Sequence, residues 1–178
     1  FEFAFGLADI LDRDEHSTPQ PALVADRFLL RGSVDLIERH RQTKLLRVTD
    51  YKTGRNRTRS GQTMVEGGRL LQPILYGLAL EAVLPAESVA AGRLFFCTSA
   101  GNFSTHEIPL FGESRRTGLE VLEVIDRAIE HGRLAARPAA DTCAICDFQM
   151  VCGRDEERRT RRKDPALFAD LDALRQLP

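Results

Sequence analysis

The chain has 178 residues, with 25 Lys and Arg against 26 Asp and Glu, so its formal net charge is −1. That length suits one domain with a sizeable core, and the near-neutral charge excludes a uniformly basic, histone-like protein. No apolar run approaches the roughly 18 residues of a membrane span, and no charged start leads into a signal sequence, so we expect a cytoplasmic protein with no membrane partner. Since the first residue is Phe1 rather than Met, we also expect a piece of a longer polypeptide.

The first predicted elements are strands. Gly32 to Glu38 and Leu45 to Tyr51 are joined by a short polar linker, which predicts an antiparallel pair. Arg55 to Gly68 has no apolar periodicity and is rich in Arg, Thr, Ser and Gly, so it predicts a loop. A helix is expected from near Leu70, because Pro73 is tolerated only in a first turn. Its apolar stripe comprises Leu71, Ile74, Leu75, Leu78 and Ala82.

The second half of the chain predicts another hairpin and two helices. The hairpin runs from Arg93 to Thr98 and from Phe103 to Pro109, on either side of a Ser-Ala-Gly-Asn turn. The longest predicted helix is Glu113 to Leu134, and a short one lies around Pro165 to Arg175. The inward face of the longest helix comprises Leu122, Ile125, Ala128 and Ile129. Together these elements predict an α/β fold with a small mixed sheet flanked by helices.

Basic residues are concentrated in two runs. Eight of them lie between Arg39 and Arg59, where Asp50 is the one acidic residue, and a second run extends from Arg158 to Lys163. Basic clusters supply the salt-dependent part of nucleic-acid affinity. A solvated charged surface is the alternative for either run alone, but two runs favour a phosphate-bearing partner such as DNA.

One predicted strand carries two chemically useful side chains. Asp50 and Lys52 are two residues apart and therefore project from one face, away from Thr49 and Tyr51. Asp35, on the preceding predicted strand, is expected beside them. Two carboxylates suit Mg²⁺, and a metal ion, a positioned water and a cation are what phosphodiester hydrolysis requires. The spacing alone leaves open that both Asp residues only end strands while Lys52 pairs with one of them.

Three cysteines, Cys143, Cys146 and Cys152, have C-x2-C-x5-C spacing. This spacing is typical of thiolates that bind one metal centre in a reducing compartment, not of a secreted disulfide framework. A zinc site would need a fourth ligand, and the remaining Cys97 lies in an apolar strand where a cysteine usually acts as a small buried hydrophobe. No ligand spacing is seen among the histidines, which are His16, His40, His106 and His131.

Four motifs in chain order resemble the RecB-like branch of the PD-(D/E)xK nucleases. They are Gly32-x-x-Asp35, Asp50-Tyr51-Lys52-Thr53-Gly54, Gln72-x3-Tyr76 and the three-cysteine cluster. Each is weak alone, but four in order are specific. The resemblance runs from about Leu29 to Gly153 and is nearest to the C-terminal nuclease domains of AddB-type helicase–nuclease subunits and to CRISPR-adaptation exonucleases.

The resemblance implies a fold and a function. We expect a restriction-endonuclease-like core in residues 1–137, with residues 138–178 forming a cysteine segment and C-terminal helix on the same domain. The implied activity is an Mg²⁺- or Mn²⁺-dependent DNA exonuclease of a repair or recombination helicase–nuclease. Since the chain has no G-x4-G-K-[S/T] loop, a helicase would be another domain or subunit. The alternative is a catalytically inactive DNA-binding or scaffolding module; a zinc-binding protein is a weaker third.

The resemblance also implies roles for individual residues. Asp35 and Asp50 would bind the metal with the backbone carbonyl of Tyr51, and Lys52 would be the catalytic lysine. Gln72 and Tyr76 would contribute to the active site and to DNA contact. The three clustered cysteines would hold a 4Fe–4S cluster, with the fourth Cys, and a further His or acid of the active site, expected upstream of this chain. Glu2 is expected to be structural.

Three arginines follow the Lys52-Thr53-Gly54 turn, namely Arg55, Arg57 and Arg59. Since they lead away from the predicted catalytic surface, we expect them to bind the DNA backbone, which positions DNA without reading its sequence.

Overall fold

A computed structural model of the protein describes residues 2–7, 14–58, 64–139 and 142–178. The chain forms two compact units. One comprises Phe1–Leu122 with Leu177–Pro178, and the other comprises Glu123–Gln176. All the strands described below belong to the first unit.

Eight strands lie within the described residues. They are β1 Phe3–Phe5, β2 Ala22–Val24, β3 Phe28–Leu30, β4 Gly32–Val34, β5 Leu36–Arg39, β6 Leu46–Lys52, β7 Val89–Phe96 and β8 Thr105–Pro109. Strands β5, β6, β7 and β8 form a four-stranded sheet in that order, while β1 pairs with β4 and β2 with β3.

The four-stranded sheet is mixed, as predicted. Strands β5 and β6 are antiparallel, and so are β7 and β8, which confirms the second predicted hairpin and the antiparallel pairing predicted for the first. Strands β6 and β7 are parallel, so the chain must cross over between them, and a helix serves as this connection. The predicted α/β class with a small sheet flanked by helices is confirmed.

The predicted strand from Gly32 to Glu38 is in fact two strands, so this prediction is wrong. The chain bends at Asp35, between β4 and β5. Strand β4 pairs with β1, where the Glu2 carboxylate accepts a hydrogen bond from Ser33 Oγ, whereas β5 pairs with β6. The bend therefore places the Asp35 side chain where two separate pairings meet.

Helix α1, Gln72–Val83, is the crossover between β6 and β7 and begins two residues after the predicted start. Its buried residues surround the helix, in contrast to the predicted single stripe; they are Pro73, Ile74, Gly77, Leu78, Ala79 and Leu80. The reason is that one side of α1 packs on the sheet while another side packs on the long helix described next. On the sheet side the approach is so close that a Cβ at Gly92 would lie 1.9 Å from the Pro73 carbonyl oxygen.

Helix α2, Gly112–Glu130, is the longest in the described residues and ends four residues before the predicted end at Leu134. Gly132 follows it with φ of +62°, a conformation that ends helices. Leu122 is buried, as predicted, but Ile129 is 59% exposed. The prediction for Ile129 is wrong because the packing that buries Leu122 does not reach the last turn of the helix.

The described part of the second unit contains the end of α2 and three short helices, α3 Gln149–Cys152, α4 Glu156–Thr160 and α5 Ala169–Gln176. The predicted C-terminal helix is a 3₁₀ turn, Pro165–Phe168, followed by α5. Asp170 is buried and accepts hydrogen bonds from Arg127 and Arg133. Within the described residues, no helix is both long enough and apolar enough to cross a membrane.

Candidate active site

Three side chains form a closed polar ring at the junction of β6 and α1. The Lys52 ammonium lies 2.6 Å from Oδ2 of Asp50 and donates a hydrogen bond of 2.6 Å to Oε1 of Gln72. The Gln72 amide in turn donates to Oδ1 of Asp50 at 3.0 Å. Asp50 and Lys52 share a strand face, and the first turn of α1 lies against that face, so the fold brings these predicted residues together.

Tyr76 extends the ring along α1. Its hydroxyl accepts a hydrogen bond of 3.3 Å from the Gln72 amide, since the two residues lie one helical turn apart. The Tyr76 ring also packs edge-on against Phe5 of β1, with 6.5 Å between the ring centroids. Tyr76 is thereby fixed by the core on one side and by the polar ring on the other.

Asp50 is the buried member of the ring. Its side chain is 9% exposed, against 34% for Lys52. Oδ2 of Asp50 is buried and, among the described residues, accepts no hydrogen bond; its contact with Lys52 is an ion pair without hydrogen-bond geometry. Burial raises the pKa of Asp50, Lys52 opposes this rise, and the Asp35 carboxylate adds to it. Like charge is the cause of the Asp35 effect, since a neighbouring carboxylate disfavours the ionised form of Asp50.

Asp35 lies at the edge of β6, not on the face that carries Asp50. Its Oδ2 accepts a hydrogen bond of 2.6 Å from the backbone N–H of Tyr51. The N–H and C=O of one strand residue point to the same edge, so the Tyr51 carbonyl also points toward Asp35. The Lys52 carbonyl points the other way and accepts from Cys97 N of the β7 side.

These oxygens are of the kind that bind a hard divalent cation. Within the described residues, no three His, Cys, Asp or Glu side chains are gathered as a metal site. Mg²⁺, however, usually takes only one or two protein carboxylates and completes its shell with water and phosphate oxygens. The carboxylates of Asp35 and Asp50 and the Tyr51 carbonyl fit that mode, since Oδ2 of Asp50 is a buried oxygen whose contact with Lys52 lacks hydrogen-bond geometry.

The first basic run divides into paired and unpaired arginines. Arg39 pairs with Glu87 at 2.7 Å, and Arg47 pairs with Glu38 and Glu107. Arg55 and Arg57, by contrast, are exposed and line a cavity beside Lys52. Neither forms an ion pair within the part of the chain that the structure describes. Arg59 lies outside the described residues.

A second polar network lies on the opposite face of the sheet, and sequence reasoning missed it. The Glu38 carboxylate of β5 accepts hydrogen bonds from Arg47 and Thr49 of β6 and from Arg93 of β7. These contacts lower the pKa of Glu38, and the hydrogen bond from Arg47 has the largest effect. The network joins β5, β6 and β7 directly behind Asp50. Its only sequence signal is alternation of polar residues within each strand, which does not show which strands are neighbours.

The structure does not bring the three clustered cysteines together as a metal site, since no group of three potential ligands is found among the described residues. Cys143, Cys146 and Cys152 are half-buried free thiols of the second unit. Loss of solvent around Cys143, with the nearby Glu157 carboxylate, raises the pKa of that thiol. Cys97 is also half-buried, and its Sγ lies 3.6 Å from the Lys52 carbonyl oxygen.

Comparison with known protein families identifies a match over most of the chain. The sequence model of the PD-(D/E)XK nuclease superfamily matches residues 1–153, which is most of the chain. Its members are nucleases and generally use divalent metal ions such as Mg²⁺. No curated protein and no solved structure matches the chain significantly.

Proposed function

We propose that this chain, which belongs to the PD-(D/E)XK nuclease superfamily, is a metal-dependent DNA exonuclease domain. The observation that carries the proposal is the ring of Asp50, Lys52 and Gln72, with the second carboxylate, Asp35, held by the backbone N–H of Tyr51, the residue between Asp50 and Lys52. A buried carboxylate, an ammonium and an amide that orients both are costly to place together. Their arrangement is therefore better explained by chemistry than by stability.

Asp35, Asp50 and the Tyr51 carbonyl would hold Mg²⁺ or Mn²⁺, which when bound neutralises phosphate charge and makes water a better nucleophile. Lys52 supplies a positive charge at the mouth of the site, since its side chain is 34% exposed while that of Asp50 is buried. It would orient the attacking water and stabilise the charge that develops on the phosphorus oxygens. Gln72 is hydrogen-bonded to both Lys52 and Asp50 and so holds the two side chains in position, and Tyr76 holds the Gln72 amide.

Binding of the DNA backbone falls to the unpaired arginines. Arg55 and Arg57 directly follow the strand that carries the ring, and no described carboxylate neutralises them. Arg59 continues the same basic segment in the sequence. Contacts of this kind give affinity for any DNA sequence.

The finer parts of the proposal rest on the order of the sequence motifs. They favour a RecB-like domain, nearest to AddB-type subunits, that works with a helicase domain or subunit in DNA repair or recombination in the cytoplasm. In this proposal residues 1–137 are the nuclease core. Residues 138–178 contribute Cys143, Cys146 and Cys152 to a 4Fe–4S cluster whose fourth cysteine lies upstream of this chain.

A second candidate is a nuclease-like module that binds DNA without cutting it. The observation that favours it is the small ligand set, since no third acidic or histidine side chain joins Asp35 and Asp50 among the described residues. An inactive module would retain the unpaired arginines but would have no use for the Asp50–Lys52 pair.

Digestion of DNA separates these candidates. The longer polypeptide, which would supply the His or acid expected upstream of this chain, is incubated with Mg²⁺ and either linear DNA or a covalently closed circle, and the same assays are run with Asp50→Ala. An exonuclease degrades the linear DNA alone, and Asp50→Ala abolishes degradation while DNA binding persists. Cleavage of the closed circle would overturn the exonuclease assignment, and binding without cleavage in the wild type would establish the inactive module.

A further inference from the structure

The turn between β7 and β8 lies at the end of the sheet that carries the polar ring of the candidate active site. Strands β6 and β7 are parallel and finish together, with Lys52 opposite Phe96. At the other end of the turn, the Ser104 carbonyl oxygen accepts a hydrogen bond of 2.9 Å from Phe96 N. Ser104 therefore lies about 10 Å from Lys52, because neighbouring strands are about 4.8 Å apart.

This turn is fixed to the segment that directly follows β6. Thr98 Oγ1 donates a hydrogen bond of 2.9 Å to the Thr53 carbonyl oxygen. On the far side of the turn, Asn56 Nδ2 donates a hydrogen bond of 2.9 Å to Ser104 Oγ. The two contacts hold the turn beside the segment that carries the unpaired arginines of the candidate site.

Phe103 occupies the turn in a conformation that a large side chain disfavours. Its φ is +47°, in the left-handed region, where a bulky residue is an outlier and glycine or asparagine is the usual choice. Burial does not compensate, since Phe103 is 64% exposed and its ring contacts no other aromatic ring among the described residues. Neither backbone preference nor core packing accounts for a phenylalanine here, and residues strained in this way are concentrated at functional sites.

We propose that Phe103 stacks on a base of the bound DNA, close to the scissile phosphate. A distance of about 10 Å corresponds to roughly three nucleotides along a strand. The chemistry that Phe103 recognises is the flat, apolar face of a nucleobase, for which an exposed aromatic ring is a common partner. Arg55 and Arg57 would bind the backbone while Phe103 contacts a base, so two adjoining segments hold two chemically different parts of the DNA.

The inference rests on the DNA binding of the proposed function and not on cleavage. Either the last base pair of a duplex or an unpaired base offers a free face for stacking. Probes with each kind of end separate these two partners.

Replacement of Phe103 by asparagine separates a role in binding from a role in folding. Because asparagine accepts the left-handed conformation, Phe103→Asn should be at least as stable to urea as the wild type, yet bind DNA about fivefold or more weakly. Phe103→Tyr keeps an aromatic ring and should bind as the wild type does. Fluorescence anisotropy measures binding by the longer polypeptide, in EDTA so that the DNA is not cut.

The matched control is Phe111→Asn. Phe111 is 69% exposed and follows β8, which is antiparallel to β7, so it lies at the opposite end of the sheet. Its replacement should leave DNA affinity unchanged. An affinity of Phe103→Asn equal to that of the wild type would overturn the inference.

A double-mutant cycle between the protein and the DNA identifies the base. Single bases are removed, one position at a time, from a blunt hairpin and from a hairpin with an unpaired extension. At the position that Phe103 contacts, loss of the base should weaken binding by the wild type about fivefold or more and weaken binding by Phe103→Asn no further. Such a position at the blunt end identifies the last base pair as the partner, and one in the extension identifies an unpaired base. Additive losses at every position would overturn the inference.

The inference and the proposed function fail separately. A wild-type polypeptide that cuts DNA but has no base whose contribution depends on Phe103 would overturn this inference alone. One that has such a base but cuts no DNA would overturn the proposed cleavage and leave Phe103 as a DNA-binding residue of an inactive module.

Discussion

The side-chain amide of Gln72 donates a hydrogen bond of 3.0 Å to Oδ1 of the buried Asp50. Through this bond the first residue of α1 is tied to the end of β6, where the oxygen of the same amide also holds Lys52. The amide has one donor side and one acceptor side, and the site uses both. A residue that offered only one of these functions would satisfy either Asp50 or Lys52, but not both.

Replacement of Gln72 tests this positioning role. We expect Gln72→Leu to lower the rate of DNA cleavage by about 100-fold, because a small misplacement of catalytic groups costs about that much. DNA affinity should change little, since Gln72 is not one of the cations that bind the backbone. Single-turnover cleavage and anisotropy measure the two quantities separately.

The control for Gln72→Leu is Gln42→Leu, which makes the same change in the exposed turn between β5 and β6. Gln72→Glu completes the series, because a carboxylate still accepts from Lys52 but repels Asp50. Gln72→Glu should therefore also cleave DNA more slowly than the wild type. A Gln72→Glu variant as fast as the wild type would show that the bond to Asp50 does not matter.

Close packing between Gly92 and Pro73 sets the position of α1 on the sheet. A methyl group at Gly92 would lie 1.9 Å from the Pro73 carbonyl oxygen, so Gly92→Ala must push the start of α1 away from β7. We expect a loss of about 3 kcal/mol or more in the free energy of unfolding, measured by urea denaturation. Gly54→Ala is the matched control, since a methyl group there meets nothing within 4 Å. Equal stability of the two variants would contradict this account of the packing.

The Glu38 network behind the active site predicts a pH dependence of stability. Because Arg47, Thr49 and Arg93 lower the pKa of Glu38 in the folded protein, its charge stabilises the fold above the ordinary pKa of a glutamate. That contribution disappears as the pH falls through the lowered pKa. Glu38→Gln should therefore cost about 1–2 kcal/mol near neutral pH, allowing for the partial exposure of the carboxylate, and progressively less below about pH 4.

Urea denaturation of the wild type and of Glu38→Gln across this pH range measures the difference. Glu107→Gln serves as the control, because Glu107 contacts only Arg47 of this network and its side chain is 44% exposed. Glu107→Gln should lower the free energy of unfolding by less than Glu38→Gln does. A difference between the wild type and Glu38→Gln that stayed constant down to pH 3 would show that Glu38 is not ionised in the network.

The iron–sulfur proposal predicts a coloured protein that loses its iron when a ligand is removed. In the longer polypeptide, purified without oxygen, Cys146→Ser should abolish the visible absorption and lower the iron content. Cys97→Ser should change neither, because Cys97 lies beside the Lys52 carbonyl and not among the clustered cysteines. Stoichiometric zinc in a colourless wild type would refute the cluster and leave the nuclease proposal intact.

Local sequence patterns predicted the elements that depend on local rules. Alternation in β6 placed Asp50 and Lys52 on one face, and Pro73 placed the start of α1 within two residues. The bend at Asp35 could not be predicted, because it results from pairing of β4 with a strand about 30 residues earlier in the sequence. Local patterns also do not show which strands are neighbours, so the Glu38 network was missed.

The sequence also could not show which charged side chains form ion pairs. The count of basic residues between Arg39 and Arg59 treats all of them alike, yet Arg39 and Arg47 are neutralised by glutamates from other strands and loops.

The central claim is that Asp50 and Lys52 act together in phosphodiester hydrolysis. Single-turnover cleavage of an end-labelled single-stranded oligonucleotide in Mg²⁺ by the longer polypeptide tests it most directly, with the wild type, Asp50→Asn, Lys52→Met and the control Arg116→Ala, an exposed arginine of α2 outside both basic runs. Both site variants should lose at least about 1,000-fold in rate while they still bind the oligonucleotide, and Arg116→Ala should cleave at the wild-type rate. Cleavage by Lys52→Met or Asp50→Asn at the wild-type rate would contradict the account.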